Sequence, residues 1–115
     1  ESALVSMGLS GFGDRVSYHL SGGEMRKAAI AAVLAMSPEI IVMDEPSSGL
    51  DPRSSRELAA LITVLSCTKI ISSHNLAFVR ACTDRVILLN NGRIAADGPS
   101  AVILDNEELL RANGL

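Results

Sequence analysis

The sequence predicts an α/β fold: parallel strands with flanking helices and a C-terminal β-hairpin. Three observations predict it. Ser21, with Glu24 three residues on, forms a capping box ahead of the apolar stretch 25–36. The β-branched run 40–43 and the short stretch 69–72 bracket a helically spaced segment, which makes a βαβ unit and hence a parallel strand pair. Asn90-Asn91-Gly92 is a tight turn joining 85–89 to 93–96.

Each element has its own justification. Glycines at 8, 11 and 13 make 8–19 a loop-rich lead-in. A helix starts at Ser21 and is stopped by Pro38. Residues 40–43, Ile-Ile-Val-Met, are a continuous apolar run of the kind found in strands covered on both faces. Pro52 suits a helix's first turn, and apolar residues at 58, 61, 62 and 65 carry helical spacing through 53–65. A short helix over 76–82 precedes the third strand, and 100–113 read as one or two short helices ending at Gly114.

Composition excludes several classes of function. Of 115 residues, 48% are hydrophobic and 20% charged, enough for a small core and too apolar for disorder. With a net charge of -3 and ten basic residues scattered along the chain, there is no basic tail and no footprint for nucleic acid. The longest apolar run, 28–36, falls far short of the roughly 20 residues that cross a bilayer. Cys67 and Cys82 have no metal-ligand spacing and read as two small buried hydrophobes. Phe12, Tyr18 and Phe78 are too few for a stacking platform.

The chemistry concentrates in four places. At Ser21-Gly22-Gly23 a helix N-terminus offers free N–H groups, and two glycines let an anion approach without a Cβ in the way; a plain capping box would look the same. Asp44 and Glu45 close a strand, where side chains project into the crevice at the carboxyl ends of a parallel sheet. Asp44 suits Mg²⁺, and the neighbouring carboxylate can take a proton from an attacking water. Asp51 precedes Pro52-Arg53 and would also serve as an N-cap. His74 follows the second strand, which runs parallel to the first, so its imidazole is expected near Glu45; a lone histidine is otherwise more often structural. His19 reads as a surface residue. A phosphate-cradling loop needs a Gly-Lys step. Neither lysine provides one, since Lys27 follows Arg26 and Lys69 follows Thr68.

Leu20-Ser21-Gly22-Gly23-Glu24, then residues 40–46 ending in Asp44-Glu45-Pro46, then Ser48-Gly49-Leu50-Asp51 and His74, resemble in order and spacing the second half of an ABC ATPase. The resemblance covers nearly the whole chain from Leu9 and implies a P-loop NTPase cassette of the RecA-like kind whose P-loop strand is missing. On that basis residues 1–20 are the end of a helical subdomain, and 21–115 hold the signature helix, Walker B strand, D-loop, switch histidine and C-terminal part. The start at Glu1 fits an internal-to-C-terminal piece of a longer protein. The resemblance also assigns roles: Ser21, Gly22, Gly23 and Glu24 face a nucleotide held by a partner subunit, Asp44 is the metal-site acid, Glu45 the catalytic base, Asp51 the D-loop acid and His74 the γ-phosphate contact. ATP and Mg²⁺ are implied, with a second ATPase subunit and transmembrane subunits as partners, peripheral on the cytoplasmic face of the membrane.

Gly11-Phe12-Gly13-Asp14-Arg15, residues 34–39 and the stretch from Asp84 to Pro99 are similar to the energy-coupling-factor ATPases, which resemble importers of cobalt, nickel, biotin and other vitamins. Three features depart from the family pattern: Lys27 stands for arginine, Asn75 for the aspartate after the switch histidine, and the P-loop and glutamine loop are absent. The resemblance also leads to an expectation about the sheet, that the Arg85 strand lacks its central neighbour and does not pair with the Lys69 strand. Rival readings are a mechanical or DNA-repair ABC ATPase, a translation-associated ABC protein, and a non-catalytic interaction piece. No heptad repeat precedes the signature to favour the first.

Overall fold

In the computed structural model, residues 2–11, 13 and 20–115 are described, and every statement about structure here concerns those residues. Phe12 and 14–19, most of the expected lead-in loop and with it His19, lie outside them. A short helix that sequence reading did not anticipate, α1 (Ser2–Ser6), comes first.

Helix α2 (Gly22–Leu34) begins as its capping box dictates: Ser21 Oγ accepts from Glu24 N, and Ser21 N donates to Glu24 Oε2 at 2.7 Å. It ends earlier than Pro38 alone would require. Ser37 precedes the proline and is driven out of the right-handed helical region, taking φ +51, while Met36 and Ser37 close the end with bonds back to Val33 and Leu34. Strand β1 (Ile40–Asp44), helix α3 (Pro52–Thr63) and strand β2 (Thr68–Ser72) form the βαβ unit, with β1 and β2 parallel and Asp44 opposite Ser72. Helix α4 (Leu76–Cys82) follows. Strands β3 (Arg85–Asn90) and β4 (Arg93–Pro99) then pair antiparallel, irregular between Leu88 and Leu89. Asn91 and Gly92 both take positive φ, 49° and 71°, the turn geometry whose twist matches the strands it joins. Two helices, α5 (Ser100–Asp105) and α6 (Glu107–Ala112), end the chain, separated at Asn106, whose side chain caps α6.

The sheets are two separate pairs, and β3 is not hydrogen-bonded to β2, as expected. The main core lies on one face of β1–β2, where Ile41 and Met43 meet Ile30 and Ala31 of α2, Leu58, Ala59 and Ile62 of α3, and Phe78 and Cys82 of α4. The expectation that β1 is covered on both faces is corrected. Its burial alternates, leaving Ile40 56% and Val42 70% exposed beside Ile70 at 54%. The core helices all gather on the Ile41–Met43 side, and the opposite apolar face has no cover among the described residues.

Candidate functional site

Parallel pairing puts the carboxyl ends of β1 and β2 side by side, and the site grows from that fact. At the last register position the Ser72 hydroxyl donates to Asp44 Oδ1. One residue on, Glu45 N donates to Ser72 O at 2.9 Å, so the chain leaves the strand in step with its neighbour. Glu45 takes φ +44, an uncommon conformation for a side chain with a Cβ and one that gathers at functional sites. Its carboxylate meets the segment after β2: Oε1 accepts His74 N–H at 3.0 Å and lies 2.7 Å from His74 Nδ1, while Oε2 accepts the Ser73 hydroxyl at 3.2 Å. The His74 ring bond, with further help from the His74 amide and Ser73, holds the Glu45 carboxyl below the usual carboxylate range despite partial burial.

A feature that motif reading missed, Arg26 on α2, anchors this corner. Its guanidinium donates to Glu45 O at 3.4 Å and Ser48 O at 3.0 Å, tying α2 to the loop after β1. Nothing local marks Arg26, because its partners lie 19 and 22 residues away. Lys27, where the resemblance leads one to expect arginine, reaches Glu57 at 3.5 Å and bridges α2 to α3. Asn75 caps α4 by accepting from Phe78 N and has no hydrogen bond to the His74 ring.

Asp51 is the N-cap of α3: Oδ1 accepts from the amides of Arg53 and Ser54, and Oδ2 from the Ser54 hydroxyl at 2.6 Å. Those bonds, the Ser54 hydroxyl first, hold its carboxyl below the ordinary range. A carboxylate with a lower pKa folded than unfolded contributes its full stabilisation above the ordinary carboxylate range and loses it as pH falls through that range. Asp51→Ala is therefore expected to lower the melting temperature at neutral pH, Asp51→Asn to retain most of it, and the difference between Asp51→Ala and the unsubstituted chain to shrink in acid. Thermal melts followed by circular dichroism across pH check all three.

The structure thus brings Asp44, Glu45 and His74 to one corner and leaves Ser21, Gly22 and Gly23 apart from it, linked through Arg26 and not by direct hydrogen bonds. Ser21 and Glu24 satisfy each other in the capping box. Neither glycine is demanded by the fold. A Cβ at Gly22 would meet open space, and one at Gly23 would sit at ordinary contact, 3.6 Å, from the Ser54 side chain. Among the described residues, then, no packing contact requires glycine at either position.

Among the described residues no group of three or more His, Cys, Asp or Glu side chains could hold a metal. The exposed Asp44 carboxylate is a hard oxygen donor suited to Mg²⁺ where phosphates and waters complete the shell. Two clefts lie elsewhere, one beside Ser2, Leu34 and Cys67 and one between α3 and α4 at Arg56 and Phe78. Of the cysteines, Cys82 is buried and its thiol pushed up to about 11 by burial, whereas Cys67 is only partly buried.

The ABC transporter family profile matches residues 1–48. Over its whole length the chain is 46% identical to a Streptomyces coelicolor protein provisionally named an ABC transporter ATP-binding protein, spanning 44% of that protein. The chain belongs to the ABC transporter ATP-binding family. Its relatives include the energy-coupling factor transporter ATP-binding protein EcfA of Methanothermobacter thermautotrophicus, 40% identical over 98% of this chain and 37% of that protein. Among solved structures, cbiO1 from Clostridium perfringens, part of the ABC transporter complex cbiONQ, superposes with a TM-score of 0.85 at 31% identity over 96% of this chain and 46% of that one. An ATP-binding cassette of an ABC transporter in its ADP conformation gives a TM-score of 0.86 at 29% identity, covering 96% of this chain and 46% of the other. The chain spans less than half the length of these ABC proteins.

Proposed function

We propose that this chain carries the signature, Walker B, D-loop and switch-histidine parts of an ATP hydrolase that drives an ABC-type importer of the cobalt, nickel or vitamin kind. The observation that supports it most is the Glu45 carboxylate held against His74 where two parallel strands end together. In this reading residues 1–20 finish a helical subdomain and 21–115 carry the catalytic corner. Glu45 accepts a proton from water, the water oxygen bonds to the γ-phosphorus, and the bridging O–P bond breaks with its electron pair leaving on ADP. His74 orients Glu45 and reaches towards the γ-phosphate. Asp44 would hold Mg²⁺, which when bound neutralises phosphate charge. Ser21, Gly22, Gly23 and Glu24 face the nucleotide of a second ATPase subunit, with Asp51 at the same interface. The other partners are transmembrane subunits at the cytoplasmic face of the membrane, and no nucleic acid takes part. No described helix is long and apolar enough to cross a membrane, which fits a peripheral place.

The reading also limits what these 115 residues do unaided. Without a Gly-Lys step the β- and γ-phosphates have no cradle. The signature end offers three or four hydrogen bonds of about 1.5–3 kcal/mol each, against an association cost of roughly 4–15 kcal/mol. Calorimetric titration is expected to show millimolar or weaker ATP binding, and a micromolar dissociation constant would defeat the argument. Phosphate release should be absent from the chain alone and appear when the N-terminal half of the Streptomyces coelicolor relative is supplied. No release from the complemented chain counts against a catalytic role.

A further inference from the structure

Besides the acid pair and the histidine, this corner holds a group that the proposed reaction has not used, the hydroxyl of Ser73. It is part-buried, one residue beyond β2, on the segment leading to His74. Its oxygen accepts the Asn75 N–H at 3.1 Å, and Asn75 is itself fixed by capping α4. With that acceptor position taken, the Ser73 O–H is aimed at Glu45 Oε2, 3.2 Å away. Oε1 is engaged twice, by the His74 amide and by His74 Nδ1.

An ionised carboxylate offers about four lone-pair sites. Two on Oε1 face His74 and one on Oε2 faces Ser73, so a single site on Oε2 stays open. We propose that Ser73 is a positioning residue that fixes the Glu45 carboxylate and confines the attacking water to that one position on Oε2. The inference rests on reading Glu45 as the general base. In the step, the water O–H bond breaks and its proton passes to Oε2. The water oxygen bonds to the γ-phosphorus as ADP departs with the electron pair of the broken O–P bond, and Ser73 and His74 keep their protons. Without the hydroxyl, Oε2 has two open positions, and the water spends part of its time in the one not aligned for attack.

Ser73→Ala, Ser73→Thr and Ser73→Cys in the full chain test this in two ways. In ¹³C-labelled chain near neutral pH, Ser73→Ala should move the Glu45 carboxyl carbon resonance and Ser73→Thr should restore it; a resonance unmoved by Ser73→Ala overturns the contact. In the chain complemented with the relative's N-terminal half, Ser73→Ala and the similarly sized weak donor Ser73→Cys should lower kcat about ten-fold, with KM for ATP changed less than about two-fold. Ser73→Thr should recover most of the loss. A kcat unchanged in Ser73→Ala or Ser73→Cys, or lost equally in Ser73→Thr, overturns the positioning role. Glu45→Gln in the same assay separates the two levels. Turnover that survives it defeats the general base, whereas turnover lost there but untouched in Ser73→Ala defeats Ser73 alone.

Discussion

Glu45→Gln is expected to reduce ATP turnover by about 10²–10⁴-fold in the chain complemented with a P-loop-bearing half, while ATP affinity changes little. Glutamine nearly matches glutamate in shape and keeps a carbonyl oxygen that can accept the His74 amide, so the corner should stay folded. It cannot take a proton from water at neutral pH, and with its oxygen on His74 its NH₂ group gives up the acceptor that Oε2 offers the Ser73 hydroxyl. Glu45 now sits in a costly left-handed backbone conformation, held by its amide bond to Ser72, the Arg26 contact to its carbonyl, and three side-chain acceptor bonds. Such a conformation is retained only where the surrounding structure over-determines it. Single-turnover phosphate release on the two proteins reads the effect directly. A loss under three-fold would place the proton acceptor elsewhere, and His74→Ala would then be the next comparison.

The second large effect concerns folding. Leu58, 1% exposed on α3, lies in the core with Ile62, Ile41 and Phe78. Leu58→Ala should destabilise the chain by about 2–5 kcal/mol, because the packed neighbours close only part of the cavity. A domain of this size has roughly 6–17 kcal/mol of stability in total, and a chain that leaves Ile40, Val42, Ile70, Ile87, Leu89 and Ile94 half or more exposed is expected near the lower end. The variant should therefore unfold at a much lower urea concentration with little change in the slope of the transition, and Leu58→Met should lose less than about 1.5 kcal/mol. A Leu58→Ala loss below about 1 kcal/mol would mean that α3 does not pack as described.

Much of this was legible in the residues, for reasons that differ from element to element. The start of α2 could be read because its capping box involves only Ser21 and Glu24. The Asn91-Gly92 turn could be read because two consecutive positive φ values suit that pair. Even the approach of His74 to Glu45, 29 residues apart, was foreseeable, since parallel strands with a helix between them must end at the same edge. What could not be read depends on distant groups with no local signature. Arg26 looks like any helix arginine until its partners at Glu45 and Ser48 are seen, and Ser73 looks like a strand-end serine until its oxygen is seen to accept from Asn75 and its hydroxyl to donate to Glu45. The apolar run 40–43 misled because composition does not say how many faces a strand has covered; here only Ile41 and Met43 are buried.

By itself the amino-acid order determined where the helices and strands after α1 begin, to within a residue or so, which acids close β1, and which histidine stands across from them. Capping, turn geometry and strand parity act over a few residues and leave their marks in the string. Only the tertiary structure decided how the Glu45 carboxylate is turned, which of its oxygens stays open, and which sheet face is bare. Those outcomes depend on hydrogen bonds and packing between groups about twenty or more residues apart, whose energies exist only once the chain has closed on itself.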